Sequence, residues 1–128
     1  MANTGTRGAI LCVDDEALGL SIRKLLLEAE GYSVQTAVNG SQALSLFSSE
    51  QIDGVVLDYM MPGMNGDVVA GEMKRLKPTV PILMLSAYVD LPSETLRSVD
   101  KYITKSEPPH VLLEAVAELL SARRKVSA

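Results

Sequence analysis

Short apolar runs alternate with segments of helical periodicity five times along the chain. We predict strands at the apolar runs 9–13, 55–57, 82–85 and 102–103, and a further strand at 33–37, where apolar and polar residues alternate. Between and after them, apolar side chains recur every three or four residues, at 18–29, 41–49, 69–76, 93–99 and 112–120. Strands that alternate with helices predict one parallel sheet with helices on both faces, a three-layer α/β sandwich.

Length and composition favour a single soluble domain. The chain has 128 residues, of which 47% are hydrophobic and 22% charged, so we expect one domain over 1–128 with a core at about 8–122. The N-terminus does not resemble a secretory signal, and no apolar segment is long enough to span a bilayer, so we expect a cytoplasmic protein without membrane insertion. A net charge of −4 argues against direct binding of nucleic acid.

Polar residues that could take part in binding or catalysis stand at the ends of four predicted strands. Asp14 and Asp15 follow the first strand, Asp58 the third, Ser86 the fourth and Lys105 the fifth. Ligands of open parallel sheets bind outside the carboxyl ends of the strands, near the point where the strand order reverses. We therefore expect three carboxylates, a hydroxyl and an ammonium group to gather at one edge of the sheet.

Three neighbouring carboxylates repel one another unless a cation joins them. Mg²⁺ is the natural candidate, because it prefers oxygen ligands and retains several waters. A carboxylate placed between this ion and Lys105 is well suited to accept a phosphoryl group, with Ser86 supplying a hydrogen bond. The acidic pair Asp14-Asp15 alone would more simply cap the following helix; its combination with Asp58 and Lys105 favours the site.

The ordered set of these residues resembles the receiver domain of two-component response regulators. The resemblance covers residues 8–122 and rests on the acidic pair after the first strand, the segment VVLDYMMPGMNG around Asp58, Ser86-Ala87, and Lys105 after Tyr102. It implies a chemotaxis-receiver-like, flavodoxin-like (βα)5 fold with strand order 2-1-3-4-5.

The resemblance also implies a role for each site residue. Asp58 would be the phosphoacceptor, and Lys105 and Ser86 would hold the phosphoryl oxygens. Tyr102 resembles the aromatic switch residue that turns inward when Ser86 moves toward the phosphate. The implied Mg²⁺ ligands are Asp14, Asp15, Asp58 and the main-chain carbonyl of Met60.

Two features depart from the family pattern. Ser106 follows Lys105 where the family usually has proline, often with a cis bond; a cis bond before a non-proline residue costs about 2.5–4 kcal/mol, so we predict a trans bond here. The segment between Ser86 and Lys105 is a few residues short, and Pro92 stands near the expected start of the fourth helix. We therefore predict a shortened or distorted fourth helix.

The implied function is a signalling switch and not a turnover enzyme. A histidine kinase or phosphotransfer protein would donate the phosphoryl group, and a downstream protein would respond; a homodimer is a further option. Three other functions stay open: an unphosphorylated scaffold, a phosphatase that uses Asp58 as nucleophile, and a flavin-binding protein. Against them stand the complete set of site residues, the lack of a carboxylate two residues after Asp58, and an acidic loop at 14–16 that would repel phosphate.

Overall fold

The structure, a computed structural model, describes residues 6–88 and 90–127, the last four of them by main chain alone. The described residues form five strands, which are Ala9–Val13 (β1), Ser33–Ala37 (β2), Gly54–Asp58 (β3), Ile82–Ser86 (β4) and Lys101–Thr104 (β5). They also form four helices, which are Ala17–Ala29 (α1), Gly40–Ser49 (α2), Gly66–Leu76 (α3) and Pro109–Ser127 (α4). None of these four described helices combines the length and the hydrophobicity that a transmembrane segment requires.

The five strands form one parallel sheet in the order β2-β1-β3-β4-β5, as the resemblance implies. In the strand register, Asp58 of β3 pairs with Leu85 of β4, and Ser86 of β4 pairs with Thr104 of β5. The central strands therefore end level with one another. The residues that follow them emerge at a common edge, called the carboxyl edge below.

Helices cover both faces of the sheet and form two hydrophobic cores. Helices α1 and α4 pack on one face, and α2 and α3 on the other. Burying a large apolar side chain contributes about 1.5–3 kcal/mol, so these layers hold the strand ends in place. The largest side chains that are fully buried include Phe47, Ile10, Leu11, Leu27, Leu57, Met73, Ile82, Leu83 and Met84.

Helix α1 forms where the sequence predicts it, but part of its apolar pattern faces outward. Leu18, Ile22 and Leu25 are 72%, 49% and 67% exposed, whereas Leu20 and Leu27 are buried in the core. The three exposed residues are spaced four and three positions apart and so share one face of the helix. We refer to them as the α1 stripe.

The segment between β4 and β5 contains turns where the fourth helix was expected. Over residues 93–98, the main-chain N–H groups of Thr95, Leu96 and Arg97 donate to carbonyls three residues earlier. The described residues 90–100 form no helix. The fourth helix, predicted to be short or distorted, is thus replaced by turns. Pro92 disfavours a helical conformation at Leu91, and the short segment leaves little chain for regular turns.

An ion pair fastens this segment to the sheet. The Asp100 carboxylate accepts hydrogen bonds from the Ile82 N–H and the Lys74 ammonium, both at 2.7 Å. Lys74 also donates to the Val80 carbonyl at 2.9 Å. The starts of β4 and β5 are thereby joined to the end of α3, which fixes the sheet on the side where the helix is missing.

The loop after β5 has the main-chain geometry predicted for it. All peptide bonds of the described residues are trans, including the one between Lys105 and Ser106. The Lys105 N–H donates to the Ser86 carbonyl at 2.8 Å, which continues the β4–β5 pairing past the last strand residue. Lys105 therefore lies at the carboxyl edge and is followed by Ser106 through a trans peptide bond.

Candidate functional site

Three carboxylates meet at the carboxyl edge. Asp14 and Asp15 directly follow β1, and Asp58 is the last residue of β3. One carboxylate oxygen from each lies within 4.8 Å of the other two. Asp14 is 0% and Asp58 3% exposed, whereas Asp15 faces solvent. The predicted cluster therefore forms, with its open side at Asp15.

Lys105 reaches this cluster from the other side, as predicted. Its ammonium nitrogen lies 2.9 Å from Asp58 Oδ1 and 3.3 Å from Asp14 Oδ2. We call the group of Asp14, Asp15, Asp58 and Lys105 the acid site. One ammonium group bridges its two buried carboxylates.

A second cation, Arg23 of α1, was not predicted. Its guanidinium forms an ion pair with Asp14 Oδ2, and its side chain is only 15% exposed. The sequence offered a weak signal, because Arg23 and Lys24 interrupt an apolar run in the first predicted helix. The pattern alone could not tell which of the two turns toward the acid site.

The pKa values of the two buried carboxylates are shifted in opposite directions. Burial raises the pKa of Asp58 to about 6, against the hydrogen bond from Lys105, and the nearby charge of Asp14 adds to the rise. Burial alone would also raise the pKa of Asp14. The hydrogen bond from the Glu16 N–H and the charges of Arg23 and Lys105 outweigh burial, so the pKa lies below its ordinary value. Although burial opposes it, the hydrogen bond and charge of Asp58 raise the pKa of Lys105. Of the two buried carboxylates, Asp58 is thus the one whose negative charge is less well compensated.

The loop after β3 positions Asp58 through a close backbone approach at Gly66. The Gly66 N–H donates to the Tyr59 carbonyl at 2.7 Å. A Cβ atom on Gly66 would lie 2.4 Å from the Asp58 carbonyl oxygen, closer than any real side chain can come. Met60 lies within this loop with its side chain 50% exposed, so the carbonyl predicted as a Mg²⁺ ligand belongs to the segment that Gly66 closes.

Ser86 stands beside the acid site but is turned toward its own loop. Its side chain is 1% exposed, and its Oγ accepts a hydrogen bond from the Tyr88 N–H at 3.0 Å. This bond uses the oxygen as an acceptor, so the hydroxyl hydrogen can still be donated. Ser86 therefore ends β4 at the carboxyl edge, and its side chain is hydrogen-bonded to the segment that follows β4.

Tyr102 of β5 points its hydroxyl into the protein. The side chain is partly buried, and its hydroxyl oxygen is buried with no hydrogen-bond partner among the described residues. Leaving a buried hydroxyl unpaired costs about 1–3 kcal/mol. The residue predicted as a switch thus carries an unsatisfied group in its inward position.

Comparison with known proteins identifies the family. Residues 10–117 match the model of the response regulator receiver domain. The chain belongs to the response regulator receiver family. As a receiver domain it is a signalling module of two-component systems and not a turnover enzyme.

Curated relatives agree with this assignment. The response regulator SaeR of Staphylococcus aureus is 37% identical over 119 residues, which cover 91% of this chain and 52% of SaeR. The receiver domain thus spans about half the length of the curated relatives it matches.

Solved structures show the same fold. A CheY-like receiver domain protein from Methanospirillum hungatei matches with a TM-score of 0.88 and 30% identity, covering 92% of this chain and 97% of that one. The response regulator TrrA of Thermotoga maritima, in complex with Mg²⁺ and BeF, matches with a TM-score of 0.83 and 40% identity, covering 88% and 98%.

Proposed function

We propose that this receiver domain is a phosphorylation switch whose phosphoacceptor is Asp58. The observation that carries the proposal is the setting of that carboxylate: it is nearly buried, lies 2.9 Å from the Lys105 ammonium and belongs to a cluster of three carboxylates. A carboxylate flanked by cationic groups can approach a phosphoryl group despite their like charges.

We propose Mg²⁺ as the cofactor, and the donor set fits it. Three carboxylate oxygens lie within 4.8 Å of one another, and hard divalent cations prefer oxygen ligands. The exposed Asp15 leaves room for the waters that Mg²⁺ retains. The Mg²⁺ complex of TrrA supports the same assignment here. When bound, Mg²⁺ supplies positive charge that offsets the carboxylates and the phosphoryl oxygens. The ligands would be Asp14, Asp15, Asp58 and the Met60 carbonyl.

The residues of the acid site divide the transfer chemistry among them. An Asp58 carboxylate oxygen forms a bond to phosphorus while the bond from phosphorus to the donor's imidazole nitrogen breaks. Lys105, already 2.9 Å from Asp58 Oδ1, balances charge on a phosphoryl oxygen. Ser86 donates its hydroxyl hydrogen to another oxygen. The domain thereby promotes its own phosphorylation and dephosphorylation without turning over a separate substrate.

The switch would begin at Ser86. In the present conformation its Oγ accepts the Tyr88 N–H, which ties it to the β4–β5 segment. A Ser86 side chain that turns to the phosphoryl group releases this bond and lets the segment move. The Tyr102 hydroxyl lacks a hydrogen-bond partner in its inward position, so a movement of the segment would favour a different position of this side chain. The expected readout is a change in the conformation of residues 87–102 on phosphorylation.

The phosphodonor would be a histidine kinase or a phosphotransfer protein that docks on the α1 stripe. Leu18, Ile22 and Leu25 are exposed apolar residues on the helix that also sends Arg23 to the acid site. An apolar face on a helix that contacts the acid site through Arg23 fits a helix of the protein that carries the phosphohistidine. Leu25→Asp should slow transfer from a phosphorylated phosphotransfer protein and leave labelling by acetyl phosphate unchanged. Leu76→Asp, the same change at a residue 41% exposed at the C-terminal end of α3, is the matched control.

The primary test is intact mass after incubation with acetyl phosphate. We expect the wild type to gain one phosphoryl group in the presence of Mg²⁺, no gain with EDTA, and no gain in Asp58→Asn. A folded wild-type protein that gains nothing would refute the proposal and favour an unphosphorylated scaffold. A gain that persists in Asp58→Asn would assign the acceptor elsewhere.

Several expectations from the sequence stay predictions. They are the extent of the domain over 1–128, its cytoplasmic location, the absence of direct nucleic-acid binding, the downstream protein target and the option of a homodimer. Because the receiver domain spans about half of SaeR, the output of the whole protein belongs with them.

A further inference from the structure

Arg23 is a cation that contacts the acid site at Asp14 and that the proposed chemistry does not use. Helix α1, which is described in full, carries three charged residues, and Lys24 and Glu28 pair with each other at 2.7 Å on its surface. Arg23 instead pairs with Asp14, whose side chain is 0% exposed. The Arg23 side chain is thus largely shielded from solvent, and its partner is a fully buried carboxylate.

Both oxygens of Asp14 are already engaged. Oδ1 accepts the Glu16 N–H at 2.9 Å. Oδ2 faces Arg23 and also Lys105, the latter at 3.3 Å. A divalent cation that binds beside Asp14 must therefore share this carboxylate with Arg23 or displace it.

Arg23 also changes the charge that a metal ion meets. The three carboxylates of the acid site are faced by two cations, Lys105 and Arg23, where the family pattern of the sequence supplied only one. Repulsion between a monovalent and a divalent cation a few ångströms apart near a protein surface can weaken an affinity by about tenfold or more. The arginine thus compensates the cluster when no metal is bound and opposes the metal when it arrives.

We propose that Arg23 is an internal counter-cation of the acid site, which holds Asp14 in the metal-free domain and weakens the binding of Mg²⁺. The inference rests on the proposed function, because it concerns the cofactor of that site. It makes Arg23 a positioning residue that sets the Mg²⁺ concentration at which the domain becomes competent for phosphorylation.

The test is a calorimetric titration of Mg²⁺ into four proteins. Arg23→Gln should bind Mg²⁺ about tenfold more tightly than the wild type, because one repelling charge is removed. Arg23→Lys keeps the charge and should stay within about threefold of the wild type. Lys24→Gln removes the same charge from the adjacent surface position and should stay within about twofold, since exposed charges are screened by solvent.

Thermal unfolding gives an independent readout. Without metal, Arg23→Gln should be less stable than the wild type, because Asp14 loses its partner. At saturating Mg²⁺ the variant should gain more stability than the wild type does, by about 1.4 kcal/mol for a tenfold difference in affinity. A structural role alone would lower the stability of Arg23→Gln and leave the gain from Mg²⁺ equal in the two proteins.

A measurement on the wild type covers the case in which Arg23→Gln does not fold. The NMR signal of the Arg23 side-chain N–H, assigned by its loss in Arg23→Lys, should shift during a Mg²⁺ titration with the same midpoint as the Asp58 amide. An unmoved Arg23 signal, or equal or weaker Mg²⁺ binding by Arg23→Gln, would overturn the inference. A wild type that binds no Mg²⁺ and gains no phosphoryl group would instead refute the proposed function itself.

Discussion

Replacing Asp58 with asparagine should stabilise the metal-free domain at neutral pH. The pKa of Asp58 rises from 3.8 to about 6 in the folded protein, chiefly because the carboxylate is buried. A shift of about two units corresponds to about 2–3 kcal/mol of preference for the neutral form, at 1.36 kcal/mol per unit. Asparagine has nearly the shape of the neutral acid and carries no charge, so the variant should be about 2–3 kcal/mol more stable than the wild type at pH 7.5.

The pH dependence of this effect has a definite sign. Because the pKa of Asp58 is higher in the folded than in the unfolded state, the folded protein binds the proton more tightly. The resulting stabilisation is fully present below the unfolded value near 4 and is lost as the pH rises through about 6. Asp14 acts oppositely: its lowered pKa contributes stability above its unfolded value, and this is lost only in more acidic solution. Between pH 5 and 7.5 the titration of Asp58 therefore contributes more than that of Asp14 to the change in stability.

Urea denaturation in EDTA at pH 5 and 7.5 measures the prediction. The wild type should lose about 1–1.5 kcal/mol of stability between these two pH values, and Asp58→Asn should lose much less. Asp90→Asn, the same change at an exposed residue, is the control and should follow the wild type. The reasoning is refuted if Asp58→Asn is no more stable than the wild type at pH 7.5, since the buried charge would then be compensated after all.

Three further substitutions test individual contacts of helices α2 and α3. Gly66→Ala forces a Cβ against the Asp58 carbonyl and should destabilise the domain by about 2–3 kcal/mol and reduce labelling by acetyl phosphate. Gly71→Ala, in the same helix with its nearest non-local neighbour at 3.8 Å, should instead add about 0.5–1 kcal/mol; equal effects of the two changes would contradict the clash. Lys77→Met removes the hydrogen bond of 2.6 Å to the Phe47 carbonyl at the end of α2 and should cost about 1–2 kcal/mol in urea denaturation, with faster amide exchange in that helix; unchanged exchange would show that the bond does not hold the helix end.

The sequence predicted those features that depend on local pattern and on parallel topology. Strand runs such as 9–13 and 82–85 are almost wholly apolar because both faces of the sheet are covered, and this makes them easy to recognise. Once the strands are parallel, the residues after them must share one edge. Asp14, Asp58, Ser86 and Lys105 could therefore be assigned to one site without knowledge of any distance.

Features that depend on rotation about a helix axis or on loop length were harder to predict. The spacing of Leu18, Ile22 and Leu25 identifies a helix correctly, but an apolar stripe on an exposed face has the same period as one in the core. For the same reason the sequence could not show that Arg23, and not Lys24, turns to Asp14. The segment after Ser86 was expected to keep some helix, and its turns became visible only in the structure.

The same groups that make the site costly in the metal-free domain would supply the driving force for the proposed switch. Asp58 carries a buried charge that its partners only partly offset, and the Tyr102 hydroxyl is buried without a partner. A ligand can shift a conformational equilibrium only by its difference in affinity between the two states. A phosphoryl group on Asp58 would bring Lys105 and Ser86 new hydrogen-bond acceptors, and only a Ser86 side chain that has left the Tyr88 N–H can use them fully. The energy of the proposed switch would therefore lie in such unsatisfied groups, and a change that removes one of them in advance, such as Asp58→Asn, should stabilise the fold while abolishing the response.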